Sequence, residues 1–300
     1  MKIKIGTRGS KLALWQAEHV AGLIDNDQTE VKIIKTKGDK IKNVSFDKIE
    51  GKGFFTKEIE EALLKGKIDL AVHSLKDLPT EDHPDLKIAA ILKRENPADL
   101  LIFNPKNSDS TGLLPIKEKS KIGTSSMRRF AQLKNIDPSL EIVPLRGNVN
   151  TRLKKLKQGL VDGIILAYAG VTRLKLNLNG FDKHLLPYDF FLPAPGQGAL
   201  ALQIRKSDKI LSDKIKSLND EETEKQVKAE RFFLSSFGGG CHIPLGAFSF
   251  FSKQKLVLMG LVAAPDGSKI IKGKILGDDP RKIGKGLASI LKKKGADKLL

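Results

Sequence analysis

Apolar positions follow two alternating rhythms through the first two thirds of the chain. Short runs at Lys2–Gly6, Val31–Thr36 and Ile68–His73 read as strands. Between them, Ser10–Ile24 and Phe54–Lys65 space their apolar residues three and four apart, as a helix with one buried face does. The alternation returns at Lys121–Thr124 then Ser126–Asn135, at Glu141–Leu145 then Asn148–Gln158, and at Gly163–Leu166 leading into another helix. Two similar α/β domains on mainly parallel sheets are therefore expected. Asn96–Pro115, with three prolines among Asn, Ser, Asp and Gly, reads as the boundary between them.

The last portion changes character. After Leu192-Pro193-Ala194-Pro195-Gly196, Ala199–Ile204 reads as a strand and Ser207–Asp220 as a polar linker. A helix over Glu221–Phe237 leads to strand patterns at Ala247–Ser252, Lys255–Val262 and Lys269–Leu276, then a helix over Pro280–Lys293. This predicts a small C-terminal α+β domain with a three-stranded antiparallel sheet. The charged stretch Lys37–Gly53, with Gly38, Gly51 and Gly53 as hinges, is a lid candidate.

Composition narrows the function classes. A chain of 300 residues that is 40% hydrophobic can bury two or three cores. The longest uncharged apolar run, Gly163–Val171, is too short to cross a bilayer, and the N-terminus has no secretory apolar segment, so a cytoplasmic protein without a membrane partner is expected. The single cysteine cannot form an internal disulfide or a CxxC site. The histidines have no ligand-like spacing, so no metal is expected.

The formal net charge of +18 first suggests nucleic acid. However, the lysines are dispersed, Trp and Tyr are nearly absent, and no helix-turn-helix, zinc-finger or RNP-like pattern appears, so no nucleic-acid partner is expected.

Arginine tells more than lysine, because only ten are present: Arg8, Arg94, Arg128, Arg129, Arg146, Arg152, Arg173, Arg205, Arg231 and Arg281. Arg offers a planar bidentate fork for carboxylates that Lys cannot reproduce. Several stand where an open α/β sheet binds ligands, beyond strand ends and at helix starts. Thr7-Arg8-Gly9-Ser10 joins a strand to a helix with Ser10 as N-cap, and Lys76-Asp77 follows the strand ending near His73. Thr124-Ser125-Ser126-Met127-Arg128-Arg129 opens another helix, and Arg146-Gly147-Asn148 a third, with Arg152 close behind.

Cations in a helix's first turn oppose the macrodipole by about 0.3–1 kcal/mol each, so Arg128 and Arg129 call for a compensating anion unless both point into solvent. Asp77, alone among these cations, is either a turn residue or a counter-charge for a substrate that becomes cationic. Gly238-Gly239-Gly240-Cys241-His242 places a thiol on a permissive backbone, where an inert buried thiol is the alternative. Neighbouring side chains in an extended loop point apart, which argues against His242 as a base for Cys241.

Six segments together carry a resemblance: GTRGSKLALWQ (Gly6–Gln16), HSLKDLP (His73–Pro79), GTSSMRR (Gly123–Arg129), LRGNVNTRL (Leu145–Leu153), PAPGQGAL (Pro193–Leu200) and GGGCHIPLGA (Gly238–Ala247). In this order they resemble the porphobilinogen deaminase, or hydroxymethylbilane synthase, family. The resemblance implies two α/β domains of the type II periplasmic-binding-protein kind, with the strand near Ala199–Ile204 returning to the first, plus the small third domain. The expected division is residues 1–94 with 194–213, 95–193, and 214–300.

The resemblance also implies a dipyrromethane cofactor joined through a thioether to Cys241, and a monomeric enzyme acting on porphobilinogen. By it, Arg8, Ser10, Lys76, Thr124, Ser126, Arg128, Arg129, Arg146, Arg152 and Arg173 hold the acetate and propionate groups of cofactor and substrate. Asp77 matches the catalytic aspartate. Each porphobilinogen loses ammonia to become an electrophile that the terminal pyrrole attacks. After four additions water releases a linear hydroxymethylbilane while the primer stays on the protein. Two other readings remain on the sequence alone: a solute-binding module built from the first two domains, and a charge-driven nucleic-acid binder.

Overall fold

The computed structural model describes residues 2–36, 56–81, 83–240 and 243–300. The lid candidate at Lys37–Gly53 lies outside the described residues, as do Cys241 and His242.

The chain opens with β1 (Ile3–Thr7), α1 (Lys11–Ile24), β2 (Thr29–Ile33), α2 (Lys57–Leu64), β3 (Leu70–Ser74) and β4 (Leu86–Ile91). It continues through β5 (Asp99–Phe103), β6 (Lys121–Gly123), α3 (Met127–Ile136), β7 (Glu141–Val143), α4 (Val149–Lys157), β8 (Gly163–Ala167), α5 (Tyr168–Arg173) and β9 (Asp182–Leu185). Then follow β10 (Leu200–Arg205), α6 (Lys209–Ile215), α7 (Glu221–Ser235), β11 (Leu245–Ser252), β12 (Lys255–Ala263), β13 (Ile270–Gly277) and α8 (Pro280–Lys293).

Two five-stranded sheets result, ordered β2-β1-β3-β10-β4 and β7-β6-β8-β5-β9. In each, four strands share one direction and one opposes them: β10 is antiparallel to its neighbours β3 and β4, and β5 to β8 and β9. The mainly parallel sheets expected from the pattern are thus mixed. The antiparallel strand of each sheet follows a crossing of the chain from the other sheet. A period-two signal cannot report that direction.

The strand return implied by the resemblance is present, since Ala201 pairs with His73 and with Ile91. The proline-rich stretch read as a boundary contains β5, whose apolar run is buried throughout within the second sheet. The segment read as a linker forms α6, which buries Leu211 and Ile215 against the first sheet.

Both sheets are covered on both faces at their centres, the reason β3, β5, β8 and β10 are buried along nearly their whole length. Leu70 and Val72 point toward α1 with Ile5, Ala17 and Val20, while the intervening Ala71 packs with Ile59 and Leu63 of α2. Leu100 and Ile102 likewise face Leu153 and Leu156 of α4, and Leu101 and Phe103 the opposite side. The third unit is the antiparallel sheet β11-β12-β13, whose core closes with Phe233 of α7 and Leu287 and Leu291 of α8.

A buried carboxylate joins the three units. Glu230 of α7, fully buried, accepts from Arg94 Nη1 at 2.7 Å and Nη2 at 3.0 Å, from the Gly196 amide at 2.7 Å, and from the Ser249 amide at 2.9 Å and hydroxyl at 2.8 Å. Arg94 and Gly196 lie on the two segments by which the chain passes between the first and second sheets.

Candidate active site

Local sequence builds the helix starts that frame the site. Ser10 caps α1 by accepting from Ala13 N at 3.3 Å, Ser126 caps α3 by accepting from Arg129 N at 3.5 Å, and Asn148 caps α4 by accepting from Thr151 N at 2.9 Å. Each helix follows the carboxyl end of a parallel strand, β1, β6 or β7 respectively, so its free amides open toward the same edge of its sheet. Thr124 is buried there and accepts from Ser126 N at 3.2 Å.

Arg8, Ser10, Gln16, Thr56, His73 and Asp77 line a cleft in the first unit. Asp77 ends a single 3-10 turn, Leu75–Asp77, directly after β3. The backbone beyond it is held by the third unit: Arg231 of α7 donates to Leu78 O at 3.0 Å and Pro79 O at 2.6 Å.

The anion that compensates Arg128 and Arg129 is a residue of the chain itself. Asp99, fully buried at the start of β5, accepts from Arg128 Nη1 and from Arg129 Nη2, each at 2.7 Å. Burial by itself would raise the Asp99 carboxyl, but the two guanidiniums outweigh it and hold the group well below the ordinary carboxylate range. Neither arginine points into solvent: Arg128 also donates to Leu192 O at 2.6 Å and Arg129 to Ile165 O at 2.9 Å.

Gln197 extends this cluster to the first unit. Its amide donates to Asp99 Oδ1 at 2.9 Å and to Pro97 O at 2.7 Å, while its oxygen accepts from Lys76 Nζ at 3.3 Å. Burial pushes the Lys76 ammonium down, Asp77 and Asp99 pull it up, and Arg129 and Arg128 push it down again. Lys76, Arg128 and Arg129 are therefore brought together across the two sheets.

Arg152 joins them electrostatically: burial and the charge of Arg129 push its guanidinium down to about 10, and its Nε donates to Gly147 O at 2.9 Å. Arg173 approaches from α5, donating to Gly198 O at 2.7 Å with its guanidinium 5.8 Å from the Trp15 ring of α1. Arg146, half-buried, stands one residue after the buried Leu145, and its carbonyl accepts from Lys155 Nζ at 3.3 Å.

Family models for the "Porphobilinogen deaminase, dipyromethane cofactor binding domain" and the "Porphobilinogen deaminase, C-terminal domain" match residues 3–213 and 225–293. A porphobilinogen deaminase of Natranaerobius thermophilus is 45% identical over 311 residues, covering 100% of this chain and 98% of its own. That of Helicobacter hepaticus is 47% identical over 277 residues, covering 91% and 84%. The chain belongs to the porphobilinogen deaminase family. Among solved structures, an ancestral cationic amino acid solute-binding protein is similar at a TM-score of 0.42 and 14% identity, covering 72% of this chain and 87% of its own.

For a porphobilinogen deaminase the loop before position 241 is the next point of interest. Gly238, Gly239 and Gly240 have φ of 92°, 65° and 132°, in the left-handed region that side chains avoid. A Cβ on Gly239 would lie 2.5 Å from Thr80 Oγ1, so this loop passes directly against the chain that continues from Asp77.

Sequence reading missed Asp99, Gln197 and Glu230. Asp99 had a visible signal, a lone charge opening the apolar run Asp99–Phe103, and Gln197 lay inside the PAPGQGAL segment without any chemistry attached to it.

Proposed function

We propose that this chain joins porphobilinogen units head to tail on a dipyrromethane attached through a thioether to Cys241, and releases linear hydroxymethylbilane by hydrolysis after four additions. The observation that carries this is the gathering of Lys76, Arg128, Arg129 and Arg152 around a single internal carboxylate, beside a cleft lined by Arg8 and Asp77.

The donors fit a ligand rich in carboxylates. Asp99 cannot neutralise the cations near it, and Arg129 Nε is buried without a hydrogen-bond partner among the described residues. A buried donor left so is costly, by about 1–3 kcal/mol, and an acceptor placed there would recover it. Arg8, Ser10, Lys76, Thr124, Ser126, Arg129, Arg146, Arg152 and Arg173 are the residues that would hold acetate and propionate groups, with Arg128 chiefly locking Asp99 and Leu192 in place.

When bound, the dipyrromethane would supply the nucleophilic ring carbon to which the first unit is joined, each later unit joining the free ring carbon of the unit before it. Asp77 stabilises the positive charge that develops on the substrate as ammonia departs, and accepts hydrogen bonds from pyrrole N–H groups. Lys76 supports Asp77 from one side and answers a substrate carboxylate from the other. The third unit keeps this geometry through the Arg231 grip on Leu78 and Pro79. The reading includes the cytoplasmic, monomeric enzyme expected from the sequence.

Intact-protein mass spectrometry tests the tether. Wild type should carry the mass of a two-pyrrole adduct that Cys241→Ser lacks; a bare-chain mass in protein that turns over porphobilinogen would overturn it. Asp77→Asn should fold and keep the adduct yet lose at least about 100-fold in turnover, the scale of a displaced charged or proton-transfer group. Wild-type rates in that variant would return Asp77 to a turn role.

A further inference from the structure

His73 is the only buried histidine among the described residues, and the assignments above leave it without a task. Its Nε2 lies 3.0 Å from Gln203 Oε1, and Gln203 Nε2 lies 3.0 Å from Glu60 Oε1. An ionised carboxylate only accepts, so Glu60 turns the Gln203 amide with its nitrogen outward and its oxygen toward the imidazole. Nε2 must then carry the ring proton, and Nδ1 keeps the lone pair. Burial pushes the imidazolium down to about 4 against a weaker opposing pull from Gln203, so the ring is neutral at any pH near 7. The result is a neutral acceptor, fixed in one tautomer by two relayed hydrogen bonds, in the wall of the cleft that Asp77 and Arg8 also line.

We propose that His73 Nδ1 accepts a hydrogen bond from the aminomethyl group of porphobilinogen and holds the leaving amine without taking its proton. The inference rests on the proposed function and adds a subsite to it.

In the step concerned, the bond between the aminomethyl carbon and nitrogen breaks, and its electron pair leaves on nitrogen as ammonia. The pyrrole nitrogen lone pair feeds the new exocyclic double bond, and the positive charge moves from the ammonium to the ring. Groups that stabilise the ammonium more than the transition state slow this step. A carboxylate at the amine would do that, because the charge it had paired is the charge that departs. A neutral imidazole orients the amine with little of this penalty. Being so weak a base, it also leaves the amine charged and competent to depart. Asp77 is the matching partner for the ring N–H, where charge accumulates.

The test compares two substrates on enzyme with its primer loaded: porphobilinogen, and the analogue in which methoxy replaces the amine, which has no proton to donate to Nδ1. His73→Phe removes the lone pair. It should lower kcat/KM for porphobilinogen about tenfold, the scale of one buried hydrogen bond, and change the methoxy analogue by less than about threefold. Gln203→Leu frees the tautomer and should give the same selective loss in smaller measure, which keeps the test usable if His73→Phe does not fold. Nitrogen NMR of histidine-labelled wild type should show a protonated Nε2 and a bare Nδ1, the latter shifting when substrate binds. Equal losses on both substrates, or a protonated Nδ1, would overturn the subsite and leave the proposed function standing. Wild type that consumes neither compound would overturn the function itself.

Discussion

Asp99→Asn strikes the point where the two sheets share charge. In the native protein one buried carboxylate receives two guanidinium bonds of 2.7 Å and the Gln197 amide at 2.9 Å. Asparagine keeps the shape but removes the charge, and it puts an N–H₂ group against arginine donors. Removing one partner of a buried ion pair costs about 3–5 kcal/mol because the other charge stays buried and uncompensated. Two arginines lose their partner here, so the upper end, about 5 kcal/mol, is expected. At about 2–4 °C per kcal/mol for chains of this scale, the melting temperature should fall by about 10–20 °C.

The pH dependence has a definite sign. The folded-state carboxyl sits below its ordinary value of 3.8, so its contribution is complete above about pH 4 and is lost as pH falls through the folded value. Thermal melts of wild type and variant followed by circular dichroism should therefore show the full gap at neutral pH and a narrowing gap below about pH 4. A gap under about 1 kcal/mol at neutral pH, or one that widens on acidification, would refute the argument that Asp99 balances both arginines.

Two further perturbations probe the joints between units. Glu230→Gln loses the charge that pairs with Arg94, and denaturant unfolding should show a loss of about 3–5 kcal/mol; a two-step transition, with the third unit separating first, is the expected form. Gly198 has φ of 88°, and an added Cβ would stand 2.3 Å from Glu95 O, so Gly198→Ala should cost at least about 2 kcal/mol. Because Arg173 donates to the Gly198 carbonyl, the same variant should also lower the fraction of chains loaded with primer, read by intact mass; a variant as stable and as fully loaded as wild type would show that the crossing tolerates displacement.

What the sequence determined by itself is local in origin. Helix α8 runs over the residues its period and its Pro280 start indicate, with Asp279 as cap. Ser10, Ser126 and Asn148 cap their helices because a short polar side chain satisfies a free amide three residues on, a matter of a single turn of chain. The six segments that carry the family resemblance were legible for the same reason, each being contiguous. The family could be read from them.

Tertiary structure decided everything that depends on residues far apart meeting. Strand β10 reads identically whether it continues the second sheet or returns to the first; only its pairing with β3 and β4 settles this. First-turn arginines announced that an anion was needed, but the choice of Asp99 over a ligand depended on a strand about thirty residues upstream lying beneath α3. The imidazole of His73 is a further case. Its neutrality comes from burial and its tautomer from Gln203 and Glu60, contributed by β10 and α2. Charge, protonation and orientation at the site are set by desolvation and by partners across the fold, and neither is a property of a residue's neighbours in the chain.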